Sequence, residues 1–228
     1  MILYVNGDSH AAGAEIHNTY AFADDDPTIH NNKDPHPENI VDSFGCLLAK
    51  KLNYDFVTDA RSGASNERIL RTTEEFLKNN SNVFVLIGWS SFDRTEVKID
   101  GNYYQFSPGF NSKEHSKTVQ QYYKNYIQNI DVKKNMCYWH REIARFERKL
   151  VKNCIPYLFF NTYQTLDVDK KFDWQNRYIG SYNDRESYWH WLYDRGYNTV
   201  NGGYHYGADG HAAWANRLYN WLTDHQLL

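Results

Sequence analysis

Four short, continuously apolar runs constrain the fold of this 228-residue chain more than any other feature. Each run ends at Asn, Asp, Gly or Ser, and together they cover residues 2–6, 54–59, 83–88 and 156–161. Strands that are apolar on both faces are typical of parallel sheets, because helices cover both sides of such a sheet. The runs therefore predict four strands of one buried parallel sheet.

Segments with helical periodicity lie between these strands. Ile40, Phe44, Leu47 and Leu48 share one helix face, and Ile69, Thr73 and Phe76 share another. A long helix is predicted over residues 116–152, with a break near Asp131, and a last helix over about 208–224. The alternation of strand and helix predicts an α/β fold in the form of a three-layer α/β/α sandwich.

No linker or internal repeat divides the sequence, so a single domain over residues 1–228 is predicted. Three insertions interrupt its α/β pattern. Residues 15–37 are predicted to be a polar loop over the sheet edge. Residues 94–115 are predicted to begin with a β-hairpin that turns at Asp100-Gly101, a favoured two-residue turn. Residues 162–186 are predicted to be irregular.

Composition and charge limit the partners of the chain. The formal net charge is −3 and the basic residues are dispersed, which argues against nucleic acid as a partner. No run approaches the roughly 18 apolar residues of a membrane span, so no membrane association is expected. The N-terminus lacks the pattern of a secretory signal, which predicts a cytoplasmic protein. The sequence does not indicate an oligomeric state.

Two motifs follow the first two predicted strands directly. Gly7-Asp8-Ser9 places Ser9 at the carboxyl edge of the sheet, where open α/β sheets bind ligands, although a plain turn explains the same residue types. In Ser62-Gly63-Ala64-Ser65-Asn66, Gly63 allows its backbone N–H to approach a ligand closely. Asn66 has a side-chain N–H to offer, while helix capping by Ser65 or Asn66 is an equally good interpretation.

Two further motifs complete the set. Gly88-Trp89-Ser90-Ser91 ends the third predicted strand, and His205 shortly precedes the last predicted helix. A histidine before a C-terminal helix can lie over the edge of the sheet and face Ser9.

Together the four blocks resemble the SGNH (GDSL-like) hydrolases, a family of esterases, acetylesterases, lipases and related acyl hydrolases. The second and third blocks, around Gly63 and Gly88, look most like those of uncharacterised SGNH-like proteins, some of which are phage-encoded. If this chain is phage-encoded, a virion-associated or released protein is a further expectation. The resemblance implies a flavodoxin-like parallel sheet, Ser9 as nucleophile and His205 as its base. It implies an oxyanion hole from the backbone N–H groups of Ser9 and Gly63 with Asn66 or Ser90, and neither a cofactor nor a metal.

The sequence departs from the family pattern in two places. The third block of the family usually reads Gly-x-Asn, and here Ser90 stands at the Asn position. The last block usually carries an Asp three residues before the His, and here that residue is Gly202. A backbone carbonyl, Asn201 or a carboxylate from elsewhere remains open as the group that orients His205.

A second register of the last block takes Asp209 and His211 as the acid and base. This register is less favoured because only one residue separates Asp209 from His211, whereas two residues separate the Asp from the His in the family pattern. In addition, Asp209 fits the N-cap of the last helix. In the preferred register, His211 packs or forms a structural hydrogen bond.

The resulting functional hypothesis is a serine hydrolase that cleaves an O-acetyl or other short acyl ester on a small molecule or glycan. Trp89 and Arg94 are substrate-contact candidates beside an aromatic hairpin (Tyr103, Tyr104, Phe106), with core packing and a surface ion pair with Glu96 as alternatives. A catalytically impaired SGNH-fold protein that binds carbohydrate or has a structural role is the alternative function. A metal-dependent hydrolase built on the polar loop ranks last; its candidate ligands are His17, His30, His36, Asp24, Asp25 and Asp26.

Overall fold

The computed structural model describes residues 1–17 and 35–228. The strands in this part of the chain are β1 (Ile2–Asn6), β2 (Asp55–Thr58), β3 (Val83–Trp89), β4 (Thr95–Ile99), β5 (Asn102–Phe106), β6 (Tyr157–Asn161) and β7 (Tyr178–Ile179). The helices are α1 (Pro37–Ile40), α2 (Phe44–Leu52), α3 (Asn66–Leu77), α4 (Lys117–Asn129), α5 (Val132–Lys152), α6 (Tyr188–Tyr193) and α7 (Ala208–Asp224).

Five of the strands form a central sheet in the order β2-β1-β3-β6-β7, and every neighbouring pair is parallel. The four apolar runs are its first four strands in chain order, as predicted. Strands β1 and β3 lie next to each other within the sheet, so their carboxyl ends are adjacent. This adjacency brings the first and third motifs of the sequence together.

Helices cover both faces of the sheet. On one face, Leu3 and Val5 of β1 pack in a core shared with helices α2, α6 and α7. On the other face, Val85 and Ile87 of β3 pack in a core shared with helices α3 and α5. The predicted α/β/α sandwich is therefore correct.

Strands β4 and β5 form the predicted antiparallel hairpin, in which Ile99 pairs with Asn102 across the Asp100-Gly101 turn. One of its aromatic residues, Phe106, is not available as a wall of a substrate site. Phe106 is fully buried in a small separate core with Phe110 and with helix α4. The hairpin and α4 thus form an accessory layer with a core of their own.

Three boundaries show where the sequence pattern succeeds or fails. The long helix breaks as predicted, because the Asp131 side chain accepts a hydrogen bond from the Lys134 N–H and starts α5. The placement of Ile40 on one helix with Phe44 is wrong: Ser43 caps a new helix by accepting from the Cys46 N–H. The segment 162–186 also contains a fifth strand of the sheet, β7, which its polar composition conceals.

Among the described helices, none combines the length and the apolarity that crossing a membrane requires.

Candidate active site

The end of β1 is fixed by side chains that the sequence analysis did not single out. The Asn6 side-chain oxygen accepts from the Gly7 N–H at 2.9 Å, and its amide nitrogen donates to the Ile69 carbonyl of α3 at 3.1 Å. A Cβ on Gly7 would lie 2.8 Å from the Gly88 carbonyl oxygen, so only glycine fits here. Strands β1 and β3 therefore end in close backbone contact, with Ser9 just beyond them.

Residues 8–14 form a tight helical turn after β1. The Asp8 carbonyl accepts from the Ala12 N–H at 2.9 Å, and the Ser9 carbonyl accepts from the Ala14 N–H at 3.0 Å. The turn ends at Glu15, which has a φ of 65° in the left-handed region that non-glycine residues rarely adopt. Glu15 thus lies at the end of this turn, six residues after Ser9.

His205 approaches from the other end of the chain. Its carbonyl accepts from the Val200 N–H at 2.8 Å, and the adjacent Tyr206 forms an antiparallel bridge with Thr199. The ring then bonds two residues of the N-terminal turn. His205 Nε2 lies 2.8 Å from Ser9 Oγ, and His205 Nδ1 lies 2.8 Å from Glu15 Oε2.

The two contacts fix the direction of the hydrogen bonds. An ionised carboxylate can only accept a hydrogen bond, so the Nδ1–H group of His205 donates to Glu15. The other ring nitrogen, Nε2, then carries a lone pair and can act as an acceptor. The Ser9 hydroxyl then donates to Nε2. The side chain of His205 is 17% exposed and that of Glu15 is 31% exposed, so the group lies at the surface rim of the sheet.

Glu15 is the site residue that the sequence analysis missed. The family spacing directed attention to position 202, where Gly202 has a φ of 70° and an exposed backbone. Asn201, the other local option, is exposed, and no hydrogen bond joins it to the His205 ring among the described residues. The carboxylate comes instead from residue 15, which is 190 positions away in sequence.

Two backbone N–H groups of the first two sequence blocks have no protein acceptor among the described residues and can therefore bind a ligand. Within the described ranges, neither the Ser9 N–H nor the Gly63 N–H has an acceptor in the protein. Gly63 has a φ of 73°, and this left-handed conformation favours glycine. These are the two backbone donors that the sequence analysis assigned to an oxyanion hole.

The two side chains assigned to the same hole are occupied elsewhere. The Asn66 side-chain oxygen accepts from the Ser90 N–H at 2.8 Å, and its amide nitrogen donates to the Ser90 carbonyl at 3.1 Å. Ser90 Oγ donates to Asp8 Oδ2 at 3.1 Å, and both residues are almost fully buried. Asn66 therefore joins two loops, while Ser65 caps α3 by accepting from the Arg68 N–H.

The expected substrate contact of Trp89 is wrong. Its side chain is fully buried and packs edge-on against Phe159 and Phe146, because the end of β3 turns it into the core. The alternative interpretation, core packing, is correct for this residue.

The expected surface ion pair between Arg94 and Glu96 is not formed. Glu96 binds Arg71 instead, with two N···O distances of 2.8 Å. Arg94 Nη1 lies 3.0 Å from Ser90 Oγ and 3.4 Å from both Asp8 Oδ2 and the Ala64 carbonyl oxygen.

The second register of the last block is not formed. His211 is buried; its Nδ1 accepts from the Phe44 N–H at 3.1 Å and its Nε2 lies 3.2 Å from the Tyr188 hydroxyl. Burial, together with repulsion from His10 and His205 when these are protonated, lowers the pKa of His211 to about 3. Asp209 is not the N-cap of α7 either, since the helix begins after Gly207 and Asp209 lies in its first turn.

A third histidine lies against the Ser9–His205 pair. The His10 ring centroid is 5.0 Å from that of His205, and its buried Nδ1 has no hydrogen-bond partner among the described residues. Burial lowers the pKa of His10 to about 4, so the ring is neutral at pH 7. It adds no positive charge beside His205.

The candidate metal ligands of the polar loop fall mostly outside the described residues, namely His30, Asp24, Asp25 and Asp26. His17 forms a hydrogen bond with Asp42, and His36 accepts from the Glu38 N–H. Across residues 1–17 and 35–228, no three His, Cys, Asp or Glu side chains are grouped so that they could hold a metal ion.

Comparison with known families places most of the chain in a family. Residues 21–184 match a family of unknown function, DUF6071, over more than half of the chain. The chain belongs to the DUF6071 family. Ser9, Glu15 and His205 all lie outside the matched range. No curated protein matches the sequence.

Comparison with solved structures shows that the chain shares its α/β fold with esterases. The psychrotrophic esterase EstA from Pseudoalteromonas sp. superposes with a TM-score of 0.51 at 10% identity, covering 98% of this chain and 97% of that one. A family two carbohydrate esterase from Cellvibrio japonicus gives a TM-score of 0.51 at 15% identity and covers 98% of this chain. This chain corresponds to 61% of the length of that carbohydrate esterase. At these identities the similarity concerns the fold alone.

Proposed function

We propose that this protein is a serine hydrolase that cleaves an ester through an acyl-serine intermediate. The observation that carries the proposal is the chain of two 2.8 Å contacts from Ser9 Oγ through the His205 ring to Glu15 Oε2. A hydroxyl, an imidazole and a carboxylate in this order form a nucleophile, a base and a group that orients the base. The resemblance of the sequence blocks to SGNH hydrolases and the shared fold support the same reaction class.

The geometry supports the following sequence of steps. Ser9 Oγ attacks the ester carbonyl while His205 Nε2 takes the hydroxyl proton, and Glu15 stabilises the resulting imidazolium. The Ser9 and Gly63 N–H groups bind the oxyanion of the tetrahedral intermediate. The intermediate collapses, the C–O bond to the alcohol breaks, and Nε2 returns the proton to the leaving oxygen. Water then attacks the acyl-serine by the same route and releases the acid.

For the substrate we propose an O-acetyl or other short acyl group on a carbohydrate. This choice follows the sequence resemblance and the carbohydrate esterase from Cellvibrio japonicus among the structures with the same fold. The buried His10 ring lies 5.0 Å from the His205 ring and occupies one side of the proposed catalytic pair, which is compatible with a small acyl group.

The alternative of an impaired binding or structural protein depends on the missing acid before His205. Glu15 supplies a carboxylate at the expected ring nitrogen, which removes that basis. The two functions differ in turnover, so an assay of ester hydrolysis distinguishes them.

The test is hydrolysis of p-nitrophenyl acetate and of acetylated xylan by the purified chain, together with labelling by a phosphonate ester. EstA was solved inhibited by monoethylphosphonate, which recommends this reagent. We expect turnover and a covalent adduct on Ser9, with both abolished in Ser9→Ala. Ser81→Ala is the matched control, because Ser81 is exposed before β3 at the opposite edge of the sheet. A folded protein without turnover or labelling contradicts the proposal.

A further inference from the structure

Arg94 lies beside the proposed active site, and the reaction steps given above assign no role to it. Its guanidinium lies between the three loops that surround the nucleophile. Nη1 contacts Asp8, the residue before Ser9; Ala64, the residue after Gly63; and Ser90, at the end of β3. Arg94 therefore contacts the residues adjacent in sequence to both backbone donors of the oxyanion hole.

Only one of its three nitrogens is held by the protein. Across the described ranges, Nη1 makes all the hydrogen bonds of this side chain, and Nε and Nη2 have no partner. The side chain is 24% exposed, so its remaining N–H groups reach the solvent side of the rim. A guanidinium fixed through one nitrogen presents its other donors in a rigid planar fork.

The buried carboxylate of Asp8 explains why the guanidinium stays in place. Asp8 Oδ2 accepts from Thr162 Oγ1 at 2.8 Å and from Ser90 Oγ at 3.1 Å, and its side chain is 2% exposed. A buried carboxylate requires a compensating charge, and Arg94 is the cation in contact with it. The arginine is thereby fixed before any substrate binds.

The usual third donor is missing in this sequence. In the SGNH pattern the third block offers an Asn side chain, whereas here Ser90 is buried and bonded to Asp8. A developing negative charge is stabilised best by donors that are already oriented toward it.

We propose that Arg94 is the third oxyanion donor of this hydrolase and uses an N–H that the protein leaves unpaired. This inference rests on the proposed function. A cationic donor gains strength as the carbonyl oxygen acquires charge, so its effect falls on kcat and little on KM.

The experiment compares wild type with Arg94→Lys and Arg94→Met on p-nitrophenyl acetate, a neutral ester. Arg94→Lys keeps a positive charge near Asp8 but loses the planar fork, so the fold survives even where Arg94→Met does not. We expect kcat to fall roughly 10²- to 10³-fold, as for the removal of one oxyanion donor, with KM nearly unchanged. Phosphonate labelling of Ser9 should slow in parallel.

Thr162→Val is the control for a purely structural role, because it removes a bond to the same Asp8 oxygen and leaves Arg94 intact. A kcat loss in Thr162→Val equal to that in Arg94→Lys would overturn the inference, since the effect would then pass through Asp8. An unchanged kcat in Arg94→Lys would also overturn it. So would a loss confined to the KM of carboxylate-bearing esters, which would make Arg94 a binding site for a substrate anion.

The wild-type assay separates this inference from the proposed function. Wild type without turnover contradicts the hydrolase itself. Active wild type with full activity in Arg94→Lys contradicts only the role of Arg94.

Discussion

Glu15→Gln is the change that most directly tests the site, because it removes one charge and keeps the size of the side chain. In wild type, the carboxylate faces the ring nitrogen that carries the hydrogen, at 2.8 Å. When Ser9 gives up its proton, the ring becomes an imidazolium next to that negative charge. The glutamine side chain of the variant offers only an amide dipole, so the charged state of the ring loses its partner.

The distance and the exposure of Glu15 set the magnitude. Two unit charges 2.8 Å apart attract each other by about 6 kcal/mol at an effective dielectric constant of about 20, and by about 1.5 kcal/mol in bulk water. The Glu15 side chain is 31% exposed, which places the interaction between these limits. A loss of about 3–4 kcal/mol corresponds to a fall in kcat of roughly 10²- to 10³-fold.

The assay is steady-state hydrolysis of p-nitrophenyl acetate by wild type and Glu15→Gln at the same pH, with thermal unfolding measured in parallel. Glu74→Gln is the matched control, since it breaks an ion pair with Lys149 on the exposed side of α3, away from the rim. We expect Glu74→Gln to keep wild-type kcat. A folded Glu15→Gln protein with kcat within about threefold of wild type would refute the reasoning, because its loss would lie well below the lower Coulomb limit.

Three further predictions concern stability. Burial lowers the pKa of His10 to about 4 and that of His211 to about 3, from an ordinary value of 6.5. As the pH falls below about 6.5, the two histidines are protonated in the unfolded chain before they are protonated in the folded protein, so the free energy of unfolding decreases. At pH 4.5 each histidine lowers the free energy of unfolding by about 2.5 kcal/mol. In urea titrations at several pH values, the free energy of unfolding of His211→Gln should depend less steeply on pH than that of wild type, by the equivalent of one proton. An unchanged dependence on pH would contradict the low pKa of His211. Gly7→Ala should lower the urea midpoint by an amount corresponding to about 3 kcal/mol or more, because its Cβ would meet the Gly88 carbonyl at 2.8 Å; a wild-type midpoint would contradict the contact. Asn66→Leu should cost about 2–4 kcal/mol in the same titration, since it leaves the buried N–H and carbonyl of Ser90 unpaired, and an unchanged value would mean that both groups find other partners.

The sheet and the last helix were predictable because their signals are local. A buried strand such as β3 is apolar throughout its length, and α7 follows directly from a periodic segment with Gly and Asp at its start. The distinction between one helix and two near Ile40 was not predictable from periodicity, because it depends on a single cap at Ser43.

The pairing of Ser9 with His205 was implied by the family resemblance, and the topology is compatible with it because Ser9 follows a strand at the carboxyl edge of the parallel sheet. Glu15 could not be found in this way. Its position depends on a left-handed residue at the end of a short turn, and neither spacing nor periodicity reports that backbone conformation. The only sequence signal is a carboxylate six residues after the nucleophile, at the start of a polar segment.

The contact between Ser9 and His205 spans 196 positions, so the proposed catalytic pair exists only when the two ends of the chain have come together. A refolding intermediate with a complete sheet but an undocked C-terminal segment would have secondary structure and no turnover. If the proposed hydrolase activity is observed, its recovery during refolding should report the docking of this segment, and a comparison with far-ultraviolet circular dichroism would show when docking occurs relative to the formation of secondary structure.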